Sequence, residues 1–346
     1  MEQQEQRLSF TGSGSEYFRI WIVNLFLTII TLGIYSAWAK VRRLQYFHRN
    51  TILNDSSFDY HADPKAILKG RIIAVGMLLT YNVTIKTMPM VGLGIGLVIA
   101  LVMPWLLVKS LRFRLYNTSY RGLRFGFDGS TAGGYVNFLL LPILSAVTVF
   151  LLAPFAHQRT KAFQHGNSRF GQTNFGFDAS AGAFYKVYIL GLLLLLLVGG
   201  TLGYAGYTVF KDFAALQPKA QHGMAFFTFI LAFYAAFIFV GLLVVPYFMS
   251  RLQNLVWNGT TLGAHRFSST LSARGLLWII VTNFIGIILT FGLFKPFADV
   301  RLARYRIEHM SLLAEGDMES FIAGEQQQET ATGTETAEMF DVDFSF

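Results

Sequence analysis

The prediction of the fold rests first on the stretch TLGIYSAWAKVRR, residues 31–43. It ends a long apolar run and places an aromatic residue, Trp38, four residues before a cation, Arg42. Side chains four residues apart share one face of a helix. An aromatic ring at headgroup depth, with a cation on the same face that reaches the phosphates, is typical of the point where a helix leaves a membrane.

The same spacing occurs four more times along the chain. The aromatic residues are Trp105, Phe155, Tyr247 and Phe297, and the cations four residues after them are Lys109, Arg159, Arg251 and Arg301. In the first four copies a phenylalanine follows sixteen residues after the cation: Phe58, Phe125, Phe175 and Phe267. Gapless matches of this length indicate an internal repeat, with copies at 37–58, 104–125, 154–175, 246–267 and 296–312.

Each copy predicts a basic amphipathic helix followed by a β-hairpin. Asn-Thr, Asn-Ser or Gly-Thr ends the helix, and two short apolar strands flank a polar turn such as NDSS or GQTN. An isolated hairpin is marginally stable, so we expect the copies to pair into one sheet, with a further strand at Phe10. Asp63, Asp128 and Asp178 follow the hairpins and are predicted to be helix N-caps.

The composition is that of a membrane protein. The 346 residues are 53% hydrophobic and 14% charged. Seven apolar stretches approach or exceed the roughly 17 to 25 residues that a spanning helix needs: Tyr17–Trp38, Ile67–Val83, Met90–Val108, Tyr135–Phe155, Phe184–Phe210, Met224–Phe248 and Leu276–Phe294. We therefore predict an α-helical polytopic membrane protein with about seven apolar segments and with repeated amphipathic helix plus β-hairpin modules at the membrane surface.

The net charge of +8 is unevenly distributed. Half of the 20 acidic residues lie in the last forty positions, which predicts an acidic, flexible tail over residues 313–346. The basic remainder favours anionic lipid headgroups over nucleic acid as its counter-charge. The final Phe340–Phe346 alternates apolar and polar residues, which indicates either a strand that adds to the chain's own sheet or to that of a partner, or a disordered end.

The topology has two alternatives, because a single apolar segment separates some hairpins and two separate others. If every segment spans, the hairpins lie on both faces as inverted repeats. If segments 17–38, 135–155 and 276–294 turn back within the membrane, all five basic helix ends face the cytoplasm, and Asn24, Asn137 and Asn283 interrupt those segments. The positive-inside rule favours the second arrangement.

The chain shows no pattern of catalytic or metal-binding residues. It has no cysteine, its seven histidines lack ligand spacing, and no acid falls within the seven apolar stretches. We therefore predict no enzyme activity, no cofactor and no metal. Asn24, Asn137 and Asn283 are predicted either to hydrogen-bond between helices or to line a polar path.

The stretch FTGSGSEYFRIWIVNLFLTIITLGIYSAWAKVRRLQYFHRNT resembles the YjgN-like family of bacterial inner-membrane proteins. The resemblance returns in NTSYRGLRFGF and NGTTLGAHRF and extends to about residue 310. It implies location in a bacterial inner membrane, with several passes, and supplies no substrate, cofactor or catalytic residue.

Two functions remain open. The first is a non-enzymatic structural or interaction protein, in which the five aromatic residues fix helix depth and the five cations hold anionic headgroups. The alternative is a pore or uncoupled small-solute transporter with Asn24, Asn137 and Asn283 along its path.

Overall fold

The computed structural model describes residues 3–216, 222–316 and 319–327. Its helices are α1 Gly14–Ile30, α2 Ser36–Arg49, α3 Pro64–Thr87, α4 Pro89–Tyr116, α5 Thr131–Tyr135, α6 Leu141–Val147, α7 Ala153–Gly166, α8 Ala181–Leu216, α9 His222–Asn258, α10 Ala273–Leu289, α11 Lys295–Glu308 and α12 at residues 319–327. A π-helical turn, Val136–Leu140, joins α5 to α6.

The strands are short and come in pairs. They are β1 Gln3–Arg7, β2 Ser9–Phe10, β3 Thr51–Leu53, β4 Ser56–Tyr60, β5 Thr118–Tyr120, β6 Leu123–Phe127, β7 Ser168–Phe170, β8 Thr173–Phe177, β9 Thr260–Leu262, β10 His265–Ser269 and β11 Met310–Glu315. All of them belong to one 11-stranded antiparallel sheet, which confirms the prediction that the hairpins pair together.

The sheet curls round until its two ends meet. Its order runs β1-β11-β10 and so on down to β3-β2, and β1 and β2 are separated along the chain only by Leu8. Residues 3–7 pair with β11 while Ser9 and Phe10 pair with β3, and the Leu8 N–H donates to the Met310 carbonyl at 3.0 Å. The result is a small barrel, with the predicted strand at Phe10 as part of its closing segment.

One backbone hydrogen bond recurs at every step around the barrel. The N–H of the first residue after β2, β4, β6, β8 or β10 donates to the carbonyl of the residue that directly follows the next basic helix. The donor and acceptor residues are Thr11 and Asn50, His61 and Asn117, Asp128 and Asn167, Asp178 and Gly259, and Thr270 and His309, at 2.8 to 3.0 Å. The acceptors occupy the same position of the predicted repeat, so the five segments are joined in an equivalent way.

The fifth hairpin combines the two ends of the chain. β11 supplies one strand and β1 the other, with Gln6 opposite Leu312 and Gln3 opposite Glu315. This explains why the fifth copy of the repeat fades after Leu312. The predicted boundary at residue 312 falls inside β11, and α12 packs on the end of the barrel. The predicted strand Phe340–Phe346 lies outside the described residues.

The barrel interior holds two layers of apolar side chains. The layer near the hairpin turns consists of Leu53, Tyr120, Phe170, Leu262 and Leu312, with Ile322 of α12 packed against it. The layer nearer the helices consists of Phe58, Phe125, Phe175, Phe267 and Leu8. Neighbouring phenylalanine rings in this second layer stack at 6.0 to 6.3 Å between centroids. Burial of each such side chain contributes about 1.5 to 3 kcal/mol, so the repeated aromatic positions stabilise the closed barrel.

The helix starts show which aspartate predictions hold. Asp63 caps α3 by accepting the Lys65 N–H at 2.9 Å, as predicted. The prediction is wrong for Asp128 and Asp178, because these residues directly follow a strand and the caps lie two residues later, at serines such as Ser130. Their carboxylates instead pair with Arg169 at 3.2 Å and with Arg266 at 3.9 Å, respectively.

Within the described ranges, four helices, α3, α4, α8 and α9, have stretches long and apolar enough to cross a membrane, judged by length and composition. They form two antiparallel pairs, α3 with α4 and α8 with α9. Between 0% and 17% of the residues in their most apolar windows are buried, so nearly all of that apolar surface faces outward. Outward apolar surface on this scale requires a hydrocarbon environment.

The other three predicted segments turn back. The helix that enters each of them is 17 residues long: α1, the continuous run of α5, the π-helical turn and α6, and α10. Such a helix is about 25 Å long, which is shorter than the roughly 30 Å hydrocarbon core. A tight turn then reverses the chain into α2, α7 or α11. At each turn a threonine hydroxyl accepts an N–H four residues later, and Gly33 and Gly292 have φ of +92° and +93°. The structure therefore agrees with the arrangement in which all hairpins share one face.

Candidate membrane-facing site

The five repeated cations lie on the helices that rise into the barrel. Arg42, Lys109, Arg159, Arg251 and Arg301 sit on α2, α4, α7, α9 and α11. Each of these helices ends where the first strand of a hairpin begins. Because all the hairpins belong to one sheet, the cations lie at comparable heights below a single barrel.

Two of the predicted aromatic–cation pairs form within one helix. The Lys109 ammonium lies 5.9 Å from the centre of the exposed Trp105 ring, and the Arg159 guanidinium lies 5.3 Å from the Phe155 ring. Such contacts contribute about 0.5 to 1 kcal/mol at exposed sites. They orient the cation without neutralising it, so its charge stays available to an anion.

The first copy uses a neighbouring ring. The Arg42 guanidinium lies 5.9 Å from the Tyr35 ring, and Tyr35 stacks on Trp38 at 6.1 Å. Trp38 is half-buried, whereas the Arg42 side chain is exposed. The predicted residues therefore meet through Tyr35, which the sequence pattern alone did not single out.

In the last two copies of the repeat, the aromatic residues contact neighbouring helices. The Tyr247 hydroxyl donates to the Val187 carbonyl at 3.2 Å, and Arg251 nearby is exposed. Phe297 packs on Phe18 at 5.7 Å between ring centroids. Arg301 donates to Asn283 Oδ1 at 2.8 Å and to Thr282 Oγ1 at 3.1 Å, so it is held by α10.

None of these five cations forms an ion pair with an acidic side chain among the described residues. Other cations close to them do pair: Arg43 lies 3.7 Å from Asp299, and Lys295 pairs with the same carboxylate. The repeated cations therefore keep an uncompensated positive charge, and four of them are exposed at the helix surface.

The three intramembrane asparagines are buried. Asn283 binds Arg301 and donates to the Ala298 carbonyl at 3.2 Å, which joins α10 to α11. Asn137 donates to the Gly133 carbonyl within its own helical segment at 2.8 Å. The Oδ1 atoms of Asn24 and Asn137 have no partner among the described residues. A polar path through these residues stays a prediction.

Buried titratable groups lie in the seam between the helices and the barrel. Burial lowers the pKa of His165 to about 4, with further lowering by the charges of Lys161 and Arg114. Its ring packs against Phe177 and Trp257 at 5.6 and 5.5 Å. Burial also lowers the pKa of His265, although the charge of Glu315 acts in the opposite direction. No group of three or more His, Cys, Asp or Glu residues suited to a metal occurs in the described ranges.

Sequence reasoning missed the contact between α12 and the barrel. Glu325 is buried, and its carboxylate accepts the backbone N–H groups of Gln172 and Thr173. The available signal was the apolar pair Phe321 and Ile322 inside an otherwise acidic segment.

A barrel joined to long, outward-facing apolar helices, with a set of cations at the junction that form no ion pair in the described part of the chain, defines a helical membrane protein. The chain matches the family described as "Bacterial protein of unknown function (DUF898)" over residues 5–339 and belongs to that family. It is 27% identical to the inner membrane protein YjgN of Salmonella typhimurium, covering 92% of this chain and 91% of the relative. It is also 26% identical to the inner membrane protein YjgN of Escherichia coli O157:H7, covering 94% and 93% of the two chains. The resemblance stated from the sequence is confirmed. No solved structure matches the chain.

Proposed function

We propose that this protein is a non-enzymatic, multi-pass protein of the bacterial inner membrane that carries its barrel on the cytoplasmic face and binds anionic lipid there. The names of its relatives support the location. The observation that carries the proposal is that five cations, none with an acidic partner among the described residues, lie below one barrel on helices that continue from the apolar segments.

The physical argument concerns charge. A Lys or Arg near an anionic membrane surface contributes about 1 kcal/mol to binding. Arg42, Lys109 and Arg159 are exposed and lie over aromatic rings, which limits their motion and leaves their charge free. Three such sites together favour anionic over zwitterionic lipid by about 3 kcal/mol, roughly a hundredfold.

The test compares two variants with equal net charge. In the first, Arg42, Lys109 and Arg159 are all replaced by glutamine; in the second, Arg7, Arg124 and Arg266 on the barrel strands are replaced in the same way. Native mass spectrometry of each protein from mixed phosphatidylglycerol and phosphatidylcholine nanodiscs measures which lipid is retained. We expect the first variant to lose at least tenfold of its preference for phosphatidylglycerol and the second to keep it. Equal losses in both variants would show that the effect is net charge alone and would reject the proposal.

A further inference from the structure

The barrel encloses a cavity that the proposed function does not use. Its volume is about 150 Å³, and apolar atoms alone form its surface. The two apolar layers of the barrel line it, together with Trp257 and Met310. The hydroxyl of Tyr120 in the wall donates to the Leu53 carbonyl at 2.6 Å. Because this hydroxyl already has an acceptor, it does not require a polar group on a ligand.

The two ends of this cavity differ. At the hairpin turns, Ile322 of α12 packs against the layer formed by Leu53, Tyr120 and their equivalents, and it is only 4% exposed. At the other end the lining reaches Trp257, in the last turn of α9, and Met310, the first residue of β11. The mouth of the cavity therefore faces the helices.

The wall is thinner at one of its five positions. Four of the segments contribute a phenylalanine to the layer nearer the helices, whereas the closing strand contributes Leu8. A leucine in place of a phenyl ring leaves space on that side, beside Met310, to whose carbonyl the Leu8 N–H is bonded at 3.0 Å. The cavity and its mouth thus follow from the way in which the chain closes the barrel.

We infer that the barrel interior binds the end of a membrane lipid's acyl chain, which enters from the helix side. A wall of apolar atoms offers water and polar solutes no hydrogen-bond partner, and an apolar cavity of about this size stays dry and binds a molecule as large as benzene. Trp257 at the mouth lies on α9, which is one of the long apolar helices, and residues of that helix such as Phe237 and Val245 are exposed. Membrane lipid is the source of aliphatic chains around that helix.

This inference rests on the membrane placement in the proposed function but not on headgroup binding. The test therefore uses zwitterionic lipid only. The full chain is placed in nanodiscs of phosphatidylcholine that carries a diazirine at the end of one acyl chain, and the adducts formed on irradiation are mapped by mass spectrometry. We expect adducts on the barrel lining, such as Phe125, Phe175 or Met310, besides those on the membrane helices. Adducts on the helices alone would identify the cavity as an empty packing void and overturn the inference.

A variant with a larger side chain in the cavity tests the inference more directly. Leu8→Phe supplies the fifth phenyl ring, so it should reduce barrel adducts at least fivefold and leave helix adducts unchanged. Leu115→Phe, in a half-buried position of α4 outside the cavity, is the matched control and should change neither. If Leu8→Phe does not fold, Leu262→Phe at another lining position fills the same cavity and should give a similar loss. Barrel adducts that persist in a folded filling variant would contradict the inference. Equal losses of anionic preference in the two variants of the mixed-lipid experiment would reject the proposed function and leave this inference intact.

Discussion

Glu325 lies 153 residues from Gln172 in the sequence, and its carboxylate accepts the Gln172 N–H at 2.6 Å. The same oxygen accepts the Thr173 N–H at 3.2 Å, and the Thr173 hydroxyl donates to the other oxygen. Gly171, with a φ of +56°, opens this turn, and a Cβ added there would lie 2.4 Å from the carboxylate. The third hairpin turn is therefore shaped to receive a carboxylate from α12, which closes this end of the barrel.

Replacement of Glu325 by glutamine should loosen α12. The amide keeps the shape of the side chain but loses the charge that strengthens hydrogen bonds to backbone N–H groups, so we expect a loss of about 1 to 3 kcal/mol in the free energy of unfolding. Limited proteolysis in detergent should then cut residues 319–327 faster than in the wild type.

The matched control is Glu319→Gln on the same helix. The Glu319 side chain is 74% exposed and its carboxylate lies 4.0 Å from Arg121, so its removal should change the cutting rate little. A Glu325→Gln variant that is cut no faster than Glu319→Gln would show that the turn does not hold α12.

Asn24 and Asn283 each precede a repeated cation by eighteen residues, but replacing them by leucine should affect stability differently. Asn283→Leu removes the acceptor of Arg301 and should lower the free energy of unfolding by about 1 to 3 kcal/mol. Asn24→Leu removes a buried Oδ1 that has no partner among the described residues, so it should be neutral or slightly stabilising. Thermal unfolding of both variants in the same detergent measures the difference. Similar losses in the two would mean that Arg301 does not depend on Asn283.

Much of the fold could be predicted because its elements are local. The spacing from Trp38 to Arg42 and on to Phe58 marks a helix and a hairpin within one short stretch. The marginal stability of an isolated hairpin then required a shared sheet. The closing strand was harder, since QQEQR at residues 3–7 has no apolar alternation and pairs with β11 at the opposite end of the chain.

The sequence predicted which residues form the candidate site but not which groups those residues contact. The spacing identified Arg301 as a cation like the others, whereas the structure has it bound to Asn283 and Thr282. Helical periodicity places residues on a face of their own helix and does not determine which neighbouring helix they meet. The turns after α1 and α10 did carry a signal, the Thr-Leu-Gly and Thr-Phe-Gly at residues 31–33 and 290–292.

Acid should destabilise the protein through His165. Its pKa in the folded protein is about 4, whereas its ordinary value is 6.5. Between these two pH values the unfolded chain therefore binds a proton at this residue and the folded protein does not. The free energy of unfolding should therefore fall as the pH drops from 6.5 to about 4, by roughly 3 kcal/mol at most, and change no further below that from this group. Burial also lowers the pKa of His157 to about 4, which adds a loss of the same sign.

Thermal unfolding between pH 7 and pH 4 measures this slope. His165→Asn should reduce the slope without abolishing it, because His157 remains. An unchanged slope in a folded His165→Asn protein would show that the imidazole is not kept neutral by its surroundings.

The shared sheet also makes a prediction about sidedness that the absence of cysteine allows to be tested in cells. Single cysteines at Asp55 and Gln172, in the turns of the first and third hairpins, should behave alike because both turns belong to one barrel. Since the proposed function places that barrel on the cytoplasmic face, both should resist a membrane-impermeant maleimide until the membrane is opened. A cysteine at Thr87, where α3 ends before α4 begins, should label in intact cells, because that turn lies at the far end of two spanning helices.

A cysteine at Leu32, whose side chain is 94% exposed at the tip of a turn below a helix of 17 residues, should label poorly in both conditions, since the tip ends within the hydrocarbon. Labelling of only one of the two hairpin turns in intact cells would be incompatible with the shared barrel, and strong labelling at Leu32 in intact cells would mean that α1 crosses the membrane.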